Sequence, residues 1–294
     1  MNLGHICRYS IGILPVVDGL SSVLNHTNRS LTALLFMLCS VFTASNTGAV
    51  ETVNIAVFEQ HQRYINASGA YALSWRLMEA AAALQNIKLQ PIESSWQGAI
   101  SRLKGGKVPL VFAAFKTKER QQWAIFSLPL APDSSAIFTL PDNPVGSRQH
   151  IDFKSASIGV SAGSVQERFA KELGFKNIYS TKERAQLYRM LEEGRLTYLF
   201  FGQSMIGYYC LYHANLDNRD CMRQVGEPYD INEVHTIALK SELKAKQLMD
   251  RLNQGLLAIS QSQDIALWFA EEGFTQRNYS QWQFALQKHT EALH

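Results

Sequence analysis

The stretch "SSWQGAISRLKGGKVPLVFAAFKTKERQQWAIFSLPL", Ser94–Leu130, decides the fold. Its first third has helical spacing and closes on Gly105 and Gly106, which predicts a short helix. "VPLVFAAF" then reads as a buried strand, and the chain breaks into charge at Lys116–Arg120 before turning apolar again. Upstream, "TVNIAVF" has the β-branched richness of a strand, "YALSWRLMEAAAALQN" the spacing of a helix, and "IKLQPIES" that of a second strand. Strands alternating with helices predict an α/β fold with a mostly parallel sheet covered on both faces.

Pro132, Pro141, Asn143, Pro144 and Gly146 interrupt the pattern, with "SAIFTL" extended between them. The alternation then restarts with "ASIGVSAGS", "VQERFAKELG", "NIYS", "TKERAQLYRMLEEG", "RLTYLFFG" and "QSMIGYYCLY", which predicts a second lobe of the same class. A further extended run, "VHTIALK", precedes three helical segments. Extended segments near Ile137 and Thr236 bracket the second lobe, so the chain crosses twice between lobes, making a hinge. The expected division is a leader over 1–49, lobe 1 over 50–137 plus 238–294, and lobe 2 over 138–237. Such a layout puts a cleft at the carboxyl ends of both sheets.

With 46% hydrophobic residues the chain can bury a large core, and its formal net charge of +3 is spread without a basic block, which argues against nucleic acid. Arg29 precedes the apolar run "LTALLFMLCSVFTA", too short to span a bilayer comfortably, and small residues follow. This reads as an export signal with the mature chain starting between Ser45 and Val50. An uncleaved anchor or a later start is the alternative. Cys7 and Cys39 fall in the leader. Cys210 and Cys221 are then the only thiols in an oxidising compartment, and a disulfide closing "LYHANLDNRD" is expected, two unrelated buried cysteines being the other reading. The eight histidines show no metal-ligand spacing, and no cofactor motif is apparent.

The opening stretch resembles the signature of the family 3 extracellular solute-binding proteins, best known as periplasmic amino-acid receptors of ABC importers. Trp96, Leu103, Gly106, Lys107, Thr117, Arg120, Phe126, Ser127 and Pro129 fill the slots of that pattern. Weaker echoes follow in "SIGVSAGSVQE", "LEEGRLTYLFFG" and "VHTIALKSELKAKQLMDRLNQGLLAISQSQDIALWF". The resemblance implies a two-lobed type II periplasmic binding protein fold, periplasmic localisation, a monomer, an inner-membrane ABC permease as partner, and a small ligand with an anionic group. It also implies that Arg120 faces the cleft and holds a ligand carboxylate, a task suited to a permanently charged planar donor fork. Capping a strand or pairing with Glu119 is the competing role. Trp96 is expected to wall the pocket or pack in the core, with Thr117 and Phe115 beside it.

Departures from the pattern narrow the ligand. Small hydroxyl residues usual ahead of Thr-x-x-Arg are replaced by Ala113 and Phe115, and the second lobe's acid slots hold Thr197 and Gly202. A ligand ammonium would then lack an acceptor, at a cost of several kcal/mol, which argues against an ordinary α-amino acid. The "SAGS" turn offers backbone N–H groups of Gly163, Ser164 and Val165, with Ser164 as hydroxyl or helix N-cap. Gln203 offers a neutral amide. Two other readings stand beside transport: a sensory or orphan binding module, and a dehydratase-type enzyme on the same scaffold with Glu59 and His61 as acid and base.

Overall fold

The computed structural model describes residues 49–67, 69–212 and 221–291. The expected leader, and most of the polar loop between the paired cysteines, lie outside the described residues.

The first half opens with β1 (Glu51–Phe58), α1 (His61–Asn66), α2 (Ala70–Leu84), β2 (Ile87–Ser94), α3 (Trp96–Lys104), β3 (Leu110–Phe115), α4 (Lys118–Trp123) and β4 (Ala124–Phe126). Most of this matches the alternation read from sequence. The two short helices α1 and α4 do not, since six residues are too few to display a helical period. α4 exists because Thr117 caps it, its Oγ1 accepting the N–H of Arg120 at 3.1 Å.

The chain continues through β5 (Pro132–Thr139), β6 (Ser157–Ser161), α5 (Val165–Leu173), β7 (Asn177–Thr181), α6 (Arg184–Glu192), β8 (Tyr198–Gly202) and α7 (Ser204–Tyr212). It returns by β9 (Arg223–Gln224) and β10 (Asp230–Leu239) into α8 (Leu243–Ile259), α9 (Asp264–Glu271) and α10 (Gln276–Glu291). All the strands join one sheet, whose main path runs β2-β1-β3-β10-β5-β8-β6-β7. β1 lies parallel between β2 and β3, and β6 parallel between β7 and β8. Between these two sets run β5 and β10, antiparallel to each other over Pro132–Ser135 and Asp230–Glu233. Each half therefore repeats one arrangement, and the two long strands stitch the halves together. Ile137 lies in β5 and Thr236 in β10.

Helices cover the sheet because one face of each is apolar. α2 buries Tyr71, Leu73, Leu77 and Met78 almost completely, each worth about 1.5–3 kcal/mol of burial. It packs against α8 at Gly255, where a Cβ would stand 2.2 Å from the carbonyl oxygen of Ala81. Only glycine permits that backbone approach. α10 returns to the first half, the Trp282 Nε1–H donating to the Pro129 carbonyl at 2.8 Å. In the second half a disulfide joins Cys210 at the end of α7 to Cys221, Cα atoms 5.5 Å apart, as the sequence led us to expect.

Candidate functional site

The carboxyl ends of β1 and β3 face those of β6 and β8 across a cleft with a cavity of about 70 Å³. That is small beside the roughly 300–1,000 Å³ of drug-sized pockets. Arg120 lines it from the third position of α4. The capped turn folds its side chain back, so Nη1 donates to the Phe115 carbonyl at 2.9 Å and the guanidinium lies 4.6 Å from the Trp96 ring centroid. Only 9% of the residue is exposed. No carboxylate among the described residues forms an ion pair with it. Burial pulls its pKa down to about 10; Glu119 opposes the fall and Arg168 adds to it. The group stays cationic at neutral pH, with its charge poorly compensated by protein.

Trp96, Phe115 and Ser164 line the same cavity. Trp96 starts α3, which Ser95 caps, and its Nε1–H donates to the Gly163 carbonyl at 2.9 Å, tying the first half to the second. Ser164 caps α5, its Oγ accepting the Glu167 N–H at 3.2 Å. Two of the three amides of the "SAGS" turn are already engaged: Gly163 N–H donates to Glu167 Oε2 at 2.7 Å and Ser164 N–H to the Ser161 carbonyl at 3.1 Å. β3 carries a bulge where its register slips against β10, and Ala113 in that bulge has φ 63° and faces the cavity. A left-handed alanine costs about 1–2 kcal/mol, and strain of this kind gathers at functional sites.

Thr117 acts on the site through the cap and does not line the cavity. Gln203 is exposed and lines a second cavity, about 590 Å³, that shares Asp133 and Ser204 with the first; its Oε1 accepts from Ser134 Oγ at 3.1 Å. Glu59 is exposed, while His61 is buried, in contact with the Trp75 ring and hydrogen-bonded through Nδ1 to the Tyr71 hydroxyl at 2.8 Å. Burial lowers the His61 pKa to about 4, with Glu93 opposing. The two are not arranged as an acid–base pair in the cleft.

Two charged residues in the cleft escaped the sequence reading. Asp133, in β5, is buried and lines the cavity. Its carboxylate accepts from Ser204 Oγ at 2.7 Å, Ser204 N–H at 3.3 Å and Ser134 N–H at 2.8 Å. Burial outweighs these bonds and lifts its pKa to about 6. A Cβ on Gly202 would meet Asp133 Oδ2, so the glycine in the family's acid slot makes room for an acid supplied from the crossing strand. The signal was present as an acid between Pro132 and two serines. Arg184 is the other. It rises from the start of α6 in the second half, and its guanidinium lies 4.1 Å from the ring of Phe58 and 5.2 Å from that of Tyr64, both in the first half. Beside it Tyr64 stacks on Tyr208 at 4.0 Å, and the Tyr208 hydroxyl donates to Gln60 Oε1. Contacts therefore join the halves at Trp96–Gly163 and again at the Tyr64–Tyr208 stack.

Comparison with known proteins agrees with this layout. The model of the bacterial extracellular solute-binding proteins, family 3, matches residues 62–270. A probable histidine-binding protein of Campylobacter jejuni subsp. jejuni is 29% identical over 108 residues, 36% of this chain, and the chain spans 42% of that relative's length. The arginine-, lysine-, histidine-binding protein ArtJ from Geobacillus stearothermophilus superposes with a TM-score of 0.62 at 15% identity, over 76% of this chain and 95% of that one. A histidine kinase sensor domain with similarity to periplasmic binding proteins superposes equally well, TM-score 0.62 at 15% identity, over 76% and 96%. These relatives are described as binding or sensing proteins, and among the described residues here no helix is long and apolar enough to cross a membrane. The fold is the two-lobed type II binding-protein fold, and the chain belongs to family 3 of the bacterial extracellular solute-binding proteins.

Proposed function

We propose that the protein captures a small amino-acid-like solute between its lobes, with the ligand carboxylate on Arg120 and its ammonium on Asp133. The observation that carries this reading is a buried guanidinium that lines a cavity and has no acidic partner among the described residues. An uncompensated buried cation is costly, and an incoming carboxylate repays that cost with two charge-assisted hydrogen bonds. Asp133 supplies the ammonium acceptor that the sequence pattern lacked, and so reopens the case for an α-amino acid. Trp96, Phe115 and Ser164 complete the walls. The histidine-binding description of the Campylobacter relative supports a solute of this size.

Binding draws together lobe 1, taken as 50–137 with 238–294, and lobe 2, taken as 138–237, around β5 and β10. A closed monomer in the periplasm then presents its ligand to an ABC importer. The test is a thermal-shift screen of the twenty amino acids and simple organic acids on wild type and Arg120→Met, since a ligand that binds only the folded form raises Tm. A Tm rise lost in Arg120→Met supports the reading; an equal rise in both, or none with any compound, overturns it.

A further inference from the structure

Arg184 is a cleft cation without an acidic partner among the described residues. Its Nη1 donates to Met205 Sδ at 2.9 Å, a thioether and therefore a weak acceptor for a group with five N–H donors. Its guanidinium carbon lies 4.1 Å from the Phe58 ring centroid and 5.2 Å from that of Tyr64, and the residue lines the cavity together with Arg120 and Asp133. The charged residues that line the cavity thus carry, when ionised, two positive charges and one negative. A neutral zwitterion leaves one of the two cations unmatched, and a basic amino acid adds another. A ligand with two carboxylates and one ammonium matches all three.

We propose that Arg184 is a second anion anchor and that the solute is an acidic amino acid, its side-chain carboxylate on Arg184. This rests on the reading of Arg120 and Asp133 given above. It also assigns Arg184 a part in closure, because the residue belongs to the second lobe and packs on rings of the first, so a carboxylate held there touches both.

The test is titration calorimetry of the protein with L-glutamate, L-aspartate, L-glutamine and L-arginine, repeated on Arg184→Met, Arg184→Lys and Arg120→Met. The expected result is that at least one acidic amino acid binds tenfold or more tighter than glutamine, with arginine weaker still. Arg184→Met, which keeps an apolar stem against Phe58, erases that margin, so that neither acidic amino acid binds tighter than glutamine. Arg184→Lys keeps part of it. Glutamine or arginine binding as tightly as both acids, or a margin unchanged in Arg184→Met, overturns the assignment of Arg184 while Arg120-dependent binding would leave the general reading standing. Binding that survives in Arg120→Met, or none of the four amino acids binding, overturns both. A melt of each variant confirms folding, and if Arg184→Met does not fold, Arg184→Lys carries the comparison.

Discussion

Gly202 and Asp133 share one space: a Cβ built on the glycine stands 2.9 Å from Oδ2 of the aspartate, closer than real side chains come. The carboxylate is held by three hydrogen bonds and cannot swing away freely. Gly202→Ala should therefore lower stability by about 1–3 kcal/mol through overpacking. In the Asp133→Ser background the same change should cost far less, a non-additivity that denaturant titration of the four proteins measures.

Asp133 should also make the unliganded protein less stable at neutral pH than it would be without the charge. Its folded pKa of about 6 lies above the unfolded value of 3.8, so its contribution is fully present below 3.8 and is lost as pH rises through 6. The loss is roughly 3 kcal/mol for a shift of this size. Asp133→Asn should melt near wild type at pH 3.5 and above it at pH 8, while losing ligand-induced stabilisation. Equal melting at both pH values would show that the carboxylate is not strained by burial.

His235 works in the opposite sense. It is buried, its Nδ1–H donating to the Ser127 carbonyl at 2.8 Å, and burial lowers its pKa to about 4. A base depressed in the folded state stabilises above the unfolded value of 6.5 and loses that stability as pH falls towards 4. Wild type should lose roughly 3 kcal/mol across this window on His235's account. Chemical denaturation in an Asp133→Asn background, with and without His235→Gln, should show the slope flatten in the second variant.

Removing the guanidinium of Arg120 should abolish binding without harming the fold. Arg120→Met keeps a long apolar stem beside Trp96 and discards a buried cation that no described carboxylate pairs with, so the unliganded variant should be at least as stable as wild type. A drop of several kcal/mol would mean that the bond to Phe115 and the Trp96 contact are structural.

The Cys210–Cys221 bridge closes a short loop of sequence separation 11. Replacing both cysteines with alanine should cost roughly 2–3 kcal/mol by loop entropy. Oxidised and reduced wild type should differ by a similar amount in urea melts.

Much of this was legible beforehand. Thr117, Arg120 and Trp96 could be singled out because they fill slots of the family pattern, and a strand run ended by charge put Arg120 just past β3. The disulfide followed from counting thiols. Gln203, one residue past the vacant acid slot, looked equally promising but lies exposed in the larger cavity, since adjacency along a strand end does not say which way a side chain turns.

Sequence alone therefore determined the alternating α/β elements and the break between their two runs, because periodicity acts over a few residues, while the family pattern pointed to Arg120 past the end of β3. Tertiary structure alone decided the charge pattern of the cleft. Asp133 reaches it only because β5 crosses between the lobes at the spot Gly202 leaves open, and Arg184 only because α6 brings it against Phe58, residues far apart in the chain that the closing of one continuous sheet sets face to face.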